Sequence, residues 1–295
     1  GVFLAKNRDT HVTFYVIDRT IAFLLIILRP FFHFHLIFEY HAFYYNWLDR
    51  LILRKTDALI FLTRALQKKA HQWSPFAQKA IVLPEGIDLE PYERLSRIPA
   101  DELRKKLNLP QDKVLIGYIG RFRPLDMDKG ITTLVSAASE MPSSIHIYCI
   151  GGAKGELAFY QNMAKEKGVA DRITLLSFVD PSLVPEYARA FDILTYIPPA
   201  NDFFSYYTSP MKLFEYMAAE KPIVVSDLPA FREILNEQSA YFIPPADSQK
   251  FVSMIRHIIA NRDEAEKRAR YAREQVLQYT WDRRAEAVIK LCKTI

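Results

Sequence analysis

Short runs of apolar residues alternate with amphipathic stretches along nearly the whole chain. In the second half the runs are VLIGYIG (114–120), IHIYCIG (145–151), ITLLSFV (173–179), FDILTYI (191–197), PIVVS (222–226) and AYFIP (240–244). Their apolar positions are consecutive, so both faces of each strand are read as buried. That is the mark of a parallel sheet covered by helices on each side. Six such strands, most of them separated by helical stretches, predict one complete doubly wound α/β domain. The first half repeats the pattern with four runs, HVTFYVI (11–17), HLIFEY (35–40), DALIFLT (57–63) and AIVLP (80–84). A charged helical segment, DELRKKLNL (101–109), precedes the second sheet and places the domain boundary between about Pro91 and Asp112. The last stretch, QYTWDRRAEAVIKLCKTI, offers Trp281, Ala285, Val288, Ile289 and Leu291 as buried positions of a final helix that crosses back onto the first domain.

The two halves are unequal. Four strands make a thin sheet, and no Gly-rich strand-to-helix turn opens the first one. The reading is two α/β domains of which the first is incomplete, with an N-terminal part expected to be missing. The expected spans are 1–95, 96–276 and a returning helix over 277–295. The stretch IAFLLIILRPFFHFHLIF (21–38) has the hydropathy of a membrane span, but Arg29, Pro30, His33 and His35 interrupt it. Its unbroken apolar run is too short for a hydrocarbon core about 30 Å thick. It reads as a buried helix running into a buried strand, with a membrane-surface role for its aromatic part as the alternative.

Composition changes this picture little. Half of the 295 residues are hydrophobic and the net charge is +5. This mild excess suits anionic small ligands, an anionic membrane surface or nucleic acid, and chooses none of them. No nucleic-acid-binding signature accompanies it, and most cations lie scattered along helical stretches as on a solvated face. Cys149 and Cys292 show neither disulfide nor metal spacing, which points to a reducing compartment.

Candidate chemistry clusters beyond the carboxyl ends of the second-half strands, where open α/β sheets bind ligands. In SPMKLFEYM, Ser209 reads as an N-cap and Pro210 as the first helical residue. Lys212 and Glu215 are three apart and share a face of this otherwise apolar helix. A cation in the first turn opposes the helix dipole, so an anion is expected at this end. Glu215, one turn on, can accept hydrogen bonds from a vicinal diol such as a ribose. The alternative is an internal Lys212–Glu215 pair. In GRFRPLDMDKG, Gly120-Arg121 ends a strand and Lys129-Gly130 opens a helix. Arg grips a diphosphate bidentately and Lys adds a point charge. An ordinary surface loop, or a divalent metal on Asp126 and Asp128, are the other readings. Phe178-Val179 at a strand end either cover a nucleobase or pack in the core. In the first half, Glu39 and His41 end a strand and point to one face. His41 is read as a substrate contact, a satisfied structural histidine, or a metal ligand; His33 and His35 lie at the other end of the strand, too far to share an ion with it.

Together these residues resemble the group 1 family of retaining glycosyltransferases, which have two Rossmann-like domains facing a cleft (the GT-B architecture). The resemblance runs from about residue 11 to the end, and SPMKLFEYMAAEKPIVVSDLPAFREIL carries most of it. LPEGIDLEPY resembles the family's interdomain segment, GRFRPLDMDKG its phosphate loop and YTWDRRA the start of its returning helix. The resemblance implies that Gly120, Arg121 and Lys129 hold a donor diphosphate, supported by Ser209, Pro210, Met211, Lys212 and Leu213. It implies ribose binding by Glu215 and a catalytic contact from His41 to the transferred sugar, with Phe178 and Val179 as the nucleobase candidates. Neither metal nor cofactor is implied. The donor is expected to be a UDP- or GDP-linked sugar, the acceptor a glycan or glycolipid, and the location cytoplasmic, with contact to the inner face of a membrane left open. In this reading the N-terminal domain faces the acceptor and the C-terminal domain binds the nucleotide sugar.

Two features depart from the family pattern. Tyr207 stands eight positions before Glu215, where many members have a Glu. The family's opening strand and Gly-rich loop have no counterpart here. Two rivals therefore stand beside the transferase: a nucleotide-sugar 2-epimerase, whose acid and base groups find no place in the chain, and a nucleotide-sugar-binding fragment without turnover.

Overall fold

The computed structural model describes residues 12–295, which form two parallel sheets flanked by helices. In the first sheet β1 (Thr13–Val16), β2 (His35–Tyr40), β3 (Ala58–Phe61) and β4 (Lys79–Val82) lie side by side in chain order. They are joined through α1 (Arg19–Leu28), α2 (Trp47–Lys55) and α3 (Arg64–Trp73). Two short helices, α4 (Glu90–Leu95) and α5 (Ala100–Lys106), lead into the second sheet. Its strands are β5 (Val114–Ile119), β6 (Ile145–Gly152), β7 (Ile173–Ser177), β8 (Ile193–Tyr196), β9 (Ile223–Ser226) and β10 (Tyr241–Ile243). Between and after them come α6 (Ile131–Ala138), α7 (Lys154–Glu166), α8 (Val184–Ala190), α9 (Met211–Ala218), α10 (Pro229–Arg232), α11 (Ser248–Ala260), α12 (Arg262–Gln275) and α13 (Trp281–Cys292). The spatial order β10-β9-β8-β5-β6-β7 is the doubly wound order, with its reversal between β5 and β8. The ten expected strands form, and the first sheet is the smaller one; His11 of the first run lies outside the described residues.

The consecutive apolar runs are buried as their pattern requires: every residue of β3, β6, β8 and β9 is buried. Side-chain caps fix several helix starts. Asp18 accepts from the Ile21 N–H, Thr63 from Leu66 and Thr280 from Arg283, and Asn46 forms a capping box with Asp49. The expectation of a buried helix within 21–38 is corrected. Only Ala22 and Leu25 of α1 are buried, while Ile21, Leu24 and Ile27 are 51%, 53% and 49% exposed. A helix lying on one face of a four-stranded sheet buries one narrow stripe, whatever its composition. Among the described residues no helix is long and apolar enough to cross a membrane.

The chain crosses between the sheets twice, and the two crossings run side by side. The Ile87 N–H donates to the Tyr279 carbonyl at 2.9 Å and the Trp281 N–H to the Ile87 carbonyl at 3.3 Å. From there α13 lies on the first sheet, with Leu291 against Ile37, Ala58 and Ile60. Of the five positions expected to be buried, Leu291 is buried and Val288 partly so; Trp281, Ala285 and Ile289 are exposed. A polar anchor replaces them. Arg284 Nη2 donates to both Glu39 carboxylate oxygens at 2.8 Å, and Nε donates to the Pro84 carbonyl at 2.9 Å. Elsewhere Glu233 accepts from the Arg64 and Ala65 N–H groups at 2.7 and 3.0 Å, so a residue after the second sheet's β9 caps α3 beside the first.

Glu39 is 1% exposed. Burial pushes its carboxyl pKa up, but hydrogen bonds from His41, Arg284 and Tyr15 outweigh this and leave it below the ordinary value. A depressed carboxyl pKa stabilises the fold above the unfolded-state value, about 4.3 for Glu, and that stability is lost as pH falls through the folded-state value. Arg284→Met removes the cation from a buried pair and is expected to destabilise the first sheet and α13 by about 3–5 kcal/mol at neutral pH. The difference from wild type should shrink in acid. Hydrogen exchange of α13 amides at pH 7 and pH 4 checks both; unchanged protection at pH 7 would show that Arg284 anchors nothing.

Candidate active site

The strand order reverses between β5 and β8, and the second sheet's candidate residues meet there. Gly120 follows β5 with φ +140°, a conformation that L side chains rarely adopt, and a Cβ on it would stand 2.6 Å from Lys212 Nζ. Lys212 is 8% exposed and reaches from the first turn of α9 to this point. Its Nζ donates to the Tyr118 hydroxyl at 2.8 Å and lies 4.0 and 4.3 Å from the Tyr118 and Tyr196 ring centroids. The Tyr118 hydroxyl donates in turn to the Arg121 carbonyl at 2.7 Å.

Among the described residues no carboxylate lies within 4.0 Å of Lys212, so the internal pair with Glu215 does not form. Burial first, and then Lys129, push the Lys212 pKa well below the ordinary lysine value. Lys129 is lowered as well, by burial and by Arg121. Glu215 is half-buried without a hydrogen-bond partner; burial raises its pKa and Lys212 partly offsets that. The site is thus a set of cations held together without an ion-paired counter-anion among the described residues, with a carboxylate nearby that finds no donor among them.

The start of α9 differs from the sequence expectation. The helix begins at Met211, with Pro210 in the N-cap position and no side-chain cap. Ser209 instead accepts from the Glu85 N–H at 3.1 Å, tying the first interdomain crossing to the approach to α9. Leu213 is fully buried, and its N–H is taken by the Pro210 carbonyl at 2.9 Å. Its side chain is thus packed in the core and its amide is engaged at the helix start. The Met211 and Lys212 N–H groups have no protein acceptor among the described residues, and the Met211 side chain is 47% exposed. They present the positive end of the helix dipole to the same space.

The loop between β5 and α6 is held by its own contacts. Asp128 accepts from the N–H groups of Gly130, Ile131 and Thr132 at 3.0, 2.9 and 3.2 Å and from the Tyr160 hydroxyl at 3.2 Å. It closes the start of α6 from two positions before the N-cap residue Gly130, and the exposed Asp126 does not share that role. The turn needs Gly130, at φ +97°, where a Cβ would meet the Ile197 carbonyl at 2.4 Å. Arg121 is exposed and Lys129 half-buried. Phe178 is 56% exposed just past the edge strand β7, with Val179 partly packed on the core.

In the first sheet His41 follows β2 directly. Its Nε2 is 2.6 Å from Glu39 Oε1 and its Nδ1 3.9 Å from Glu85 Oε1. Glu39, His41 and Glu85 could bring ligand atoms within 4.8 Å of one another. Both Glu39 oxygens accept from Arg284 and one of them also meets His41, while Glu85 stands beyond hydrogen-bond distance of the histidine. Burial raises the Glu85 pKa. Tyr207, at the position of the family's Glu, turns to the first domain and shares a 2.7 Å hydrogen bond with the Tyr45 hydroxyl.

The structure therefore joins Gly120, Lys129 and Lys212, and sets His41 near the approach to α9 through Glu85. Tyr118, Tyr196, Glu85 and Arg284 were missed. The two tyrosines sit inside apolar strand runs, where an aromatic residue reads as core. The only sequence signal for Arg284 was its place in the WDRRA stretch.

The family model for "Glycosyl transferases group 1" matches residues 99–275. A D-inositol 3-phosphate glycosyltransferase of Xylanimonas cellulosilytica is 24% identical over 251 residues, covering 82% of this chain and 58% of the relative. A lipopolysaccharide 1,2-N-acetylglucosaminetransferase of Salmonella typhimurium is 25% identical, with 79% of this chain and 61% of the relative covered. The chain thus spans about three-fifths of the length of these curated relatives. Among solved structures, the HepE protein of Anabaena in complex with UDP superposes with a TM-score of 0.82 at 17% identity, covering all of this chain and 81% of that one. Sucrose-phosphate synthase from Thermosynechococcus elongatus gives 0.79 at 21% identity, over 99% of this chain and 76% of that one. These likenesses establish the GT-B fold, and with the family match over more than half of its length the chain belongs to the group 1 glycosyl transferases.

Proposed function

We propose that the protein transfers a sugar, with retention of configuration, from a nucleotide-sugar donor to a glycan or glycolipid acceptor. The observation that carries this reading is Lys212, a buried ammonium without a counter-anion, beside Lys129 and the open N–H groups of α9. A nucleoside diphosphate supplies the missing charge. Arg121, Lys129, Lys212 and the helix end then stabilise the diphosphate as it leaves. Gly120 lets the phosphates approach the backbone, Glu215 takes the ribose hydroxyls, and Phe178 with Val179 borders the base. His41, oriented by Glu39, contacts the transferred sugar. The departing phosphate oxygen takes the proton of the acceptor hydroxyl on the same sugar face, so the new bond keeps the old configuration. UDP is the first nucleotide to test, because HepE is similar in fold and was solved with UDP; GDP is the second.

In this reading residues 1–95 face the acceptor, 96–276 bind the donor, and 277–295 return to the first domain. The exposed Ile21, Leu24 and Ile27 suit peripheral contact with the inner face of a membrane and a cytoplasmic location. The rival is a nucleotide-sugar-binding protein without turnover. Radiolabelled sugar transfer measured beside calorimetric UDP binding separates the two: binding with neither transfer nor donor hydrolysis supports the rival.

Lys129→Ala and Lys212→Met are each expected to weaken UDP binding by about 1.5–3 kcal/mol, the scale of a hydrogen bond to a charged group. EDTA should leave the affinity unchanged. Both lysines have lowered pKa values in the free protein, and a diphosphate raises them, so binding takes up protons and weakens as pH rises through the free-state values. Calorimetry in two buffers of different ionisation enthalpy measures that uptake. A UDP affinity unchanged in both variants, or lost with EDTA, would refute the site.

Glu215→Gln is expected to weaken UDP binding and to stabilise the ligand-free protein. A raised carboxyl pKa means that stability falls as pH rises through the folded-state value, so the neutral amide removes a penalty present at pH 7. Thermal melts with and without UDP check both signs; a drop in the ligand-free melting temperature would make Glu215 a structural residue.

A further inference from the structure

At the opposite, amino-terminal end of the second sheet lies a cavity of about 500 Å³, below the first residues of β5 and β8 and beside Pro222, just before β9. Its volume is in the range of small-molecule sites. Lys221, Arg189 and Arg262 border it. Lys221 is half-buried with no hydrogen-bond or ion-pair partner among the described residues, and burial pushes its pKa down to about 8. Arg189 Nε is buried without an acceptor, and its terminal nitrogens make only long contacts, 3.4 Å to the Ala219 carbonyl and 3.3 Å to that of Ser96.

The carboxylates that line the cavity offset these cations only in part, Asp192 and Glu220 acting on Lys221 and Glu220 on Arg189. Asp192 is taken by Arg104 at 2.7 Å and by the Leu115 N–H at 2.7 Å. Glu266 faces Arg270 at 3.6 Å on its own helix. That leaves Glu220 as the one lining carboxylate not so engaged, among the described residues, against Lys221, Arg189 and Arg262. The excess suits a dianion. The remaining wall is apolar, from Ile193, Ile258, Ala265 and Ala269. Arg presents a fork to phosphate oxygens and Lys a point charge.

We infer that this cavity binds a phosphate monoester about the size of a sugar phosphate. The site is separate from the donor site but linked to it by α9, whose first turn carries Lys212 and whose C-terminal end runs into Glu220 and Lys221.

The test is calorimetry on the full chain with glucose 6-phosphate, inorganic phosphate and glucose as probes, repeated in Lys212→Met to separate this site from the donor site. Glucose 6-phosphate is expected to bind with a Kd of about 1 mM or tighter in both wild type and Lys212→Met. Glucose should give no heat. Lys221→Met should weaken binding at least about tenfold, the effect of removing one charged partner. Arg262→Ala, at an exposed rim position that does not threaten the fold, should weaken it about threefold and decides the matter if Lys221→Met fails to fold. Three results overturn the inference: no binding up to about 10 mM, binding lost in Lys212→Met but kept in Lys221→Met, or equal affinity for inorganic phosphate, which would assign the site to free phosphate.

Discussion

A buried ammonium group with no counter-anion is the constraint around which the second domain's ligand end is arranged. Taking a lysine out of water costs several kcal/mol unless its charge is met. Lys212 receives one neutral hydroxyl acceptor and two aromatic faces, Tyr118 and Tyr196, each a partial compensation. Two neighbours raise the cost, and the Glu215 carboxylate offsets part of it. The N-terminus of α9 adds positive potential, Lys129 repels, and Glu215 stays beyond ion-pair distance. Gly120 is the one nearby residue that yields, because any side chain there would collide with the ammonium. In the proposed function, the repulsion from Lys129 and from the helix end would become attraction toward a docked diphosphate. This sign reversal is what distinguishes a binding site from a poorly packed core.

How much of this the sequence made legible depends on whether a residue breaks the local pattern. The ten strands were legible because a strand buried on both faces must be apolar at consecutive positions, and that pattern does not depend on tertiary detail. Lys212 and Glu215 were legible for the opposite reason, as charges inside an apolar helix. Tyr118 was hidden because an aromatic residue in a strand run breaks nothing, although its hydroxyl holds both Lys212 and the Arg121 carbonyl. Arg284 was hidden because a cation on a surface helix looks solvated, and its partner Glu39 lies 245 positions earlier. The helix of 21–38 misled in the other direction. Its composition asks for burial, but the sheet beneath it has room for one stripe.

The same pair joins the two halves of the proposed site. Arg284 belongs to a helix reached only after the second sheet is complete, yet it holds the carboxylate that orients His41 in the first. Glu85 lies between them, with its carboxylate 3.9 Å from His41 and its backbone N–H bonded to Ser209 before α9. The chain passes between the sheets at the paired crossings of Ile87 and Tyr279–Trp281. A rotation about that point would carry α13, Arg284, Glu39 and His41 together as one body, because Arg284 and Leu291 fasten the helix to the first sheet. The Glu85–Ser209 and Tyr45–Tyr207 bonds would stretch instead. The histidine's orientation is therefore set by contacts within the first sheet and α13, and its distance to the start of α9 by contacts between the two sheets. In the proposed transferase reading, that division would let the two domains shift to admit a donor while the histidine keeps its orientation.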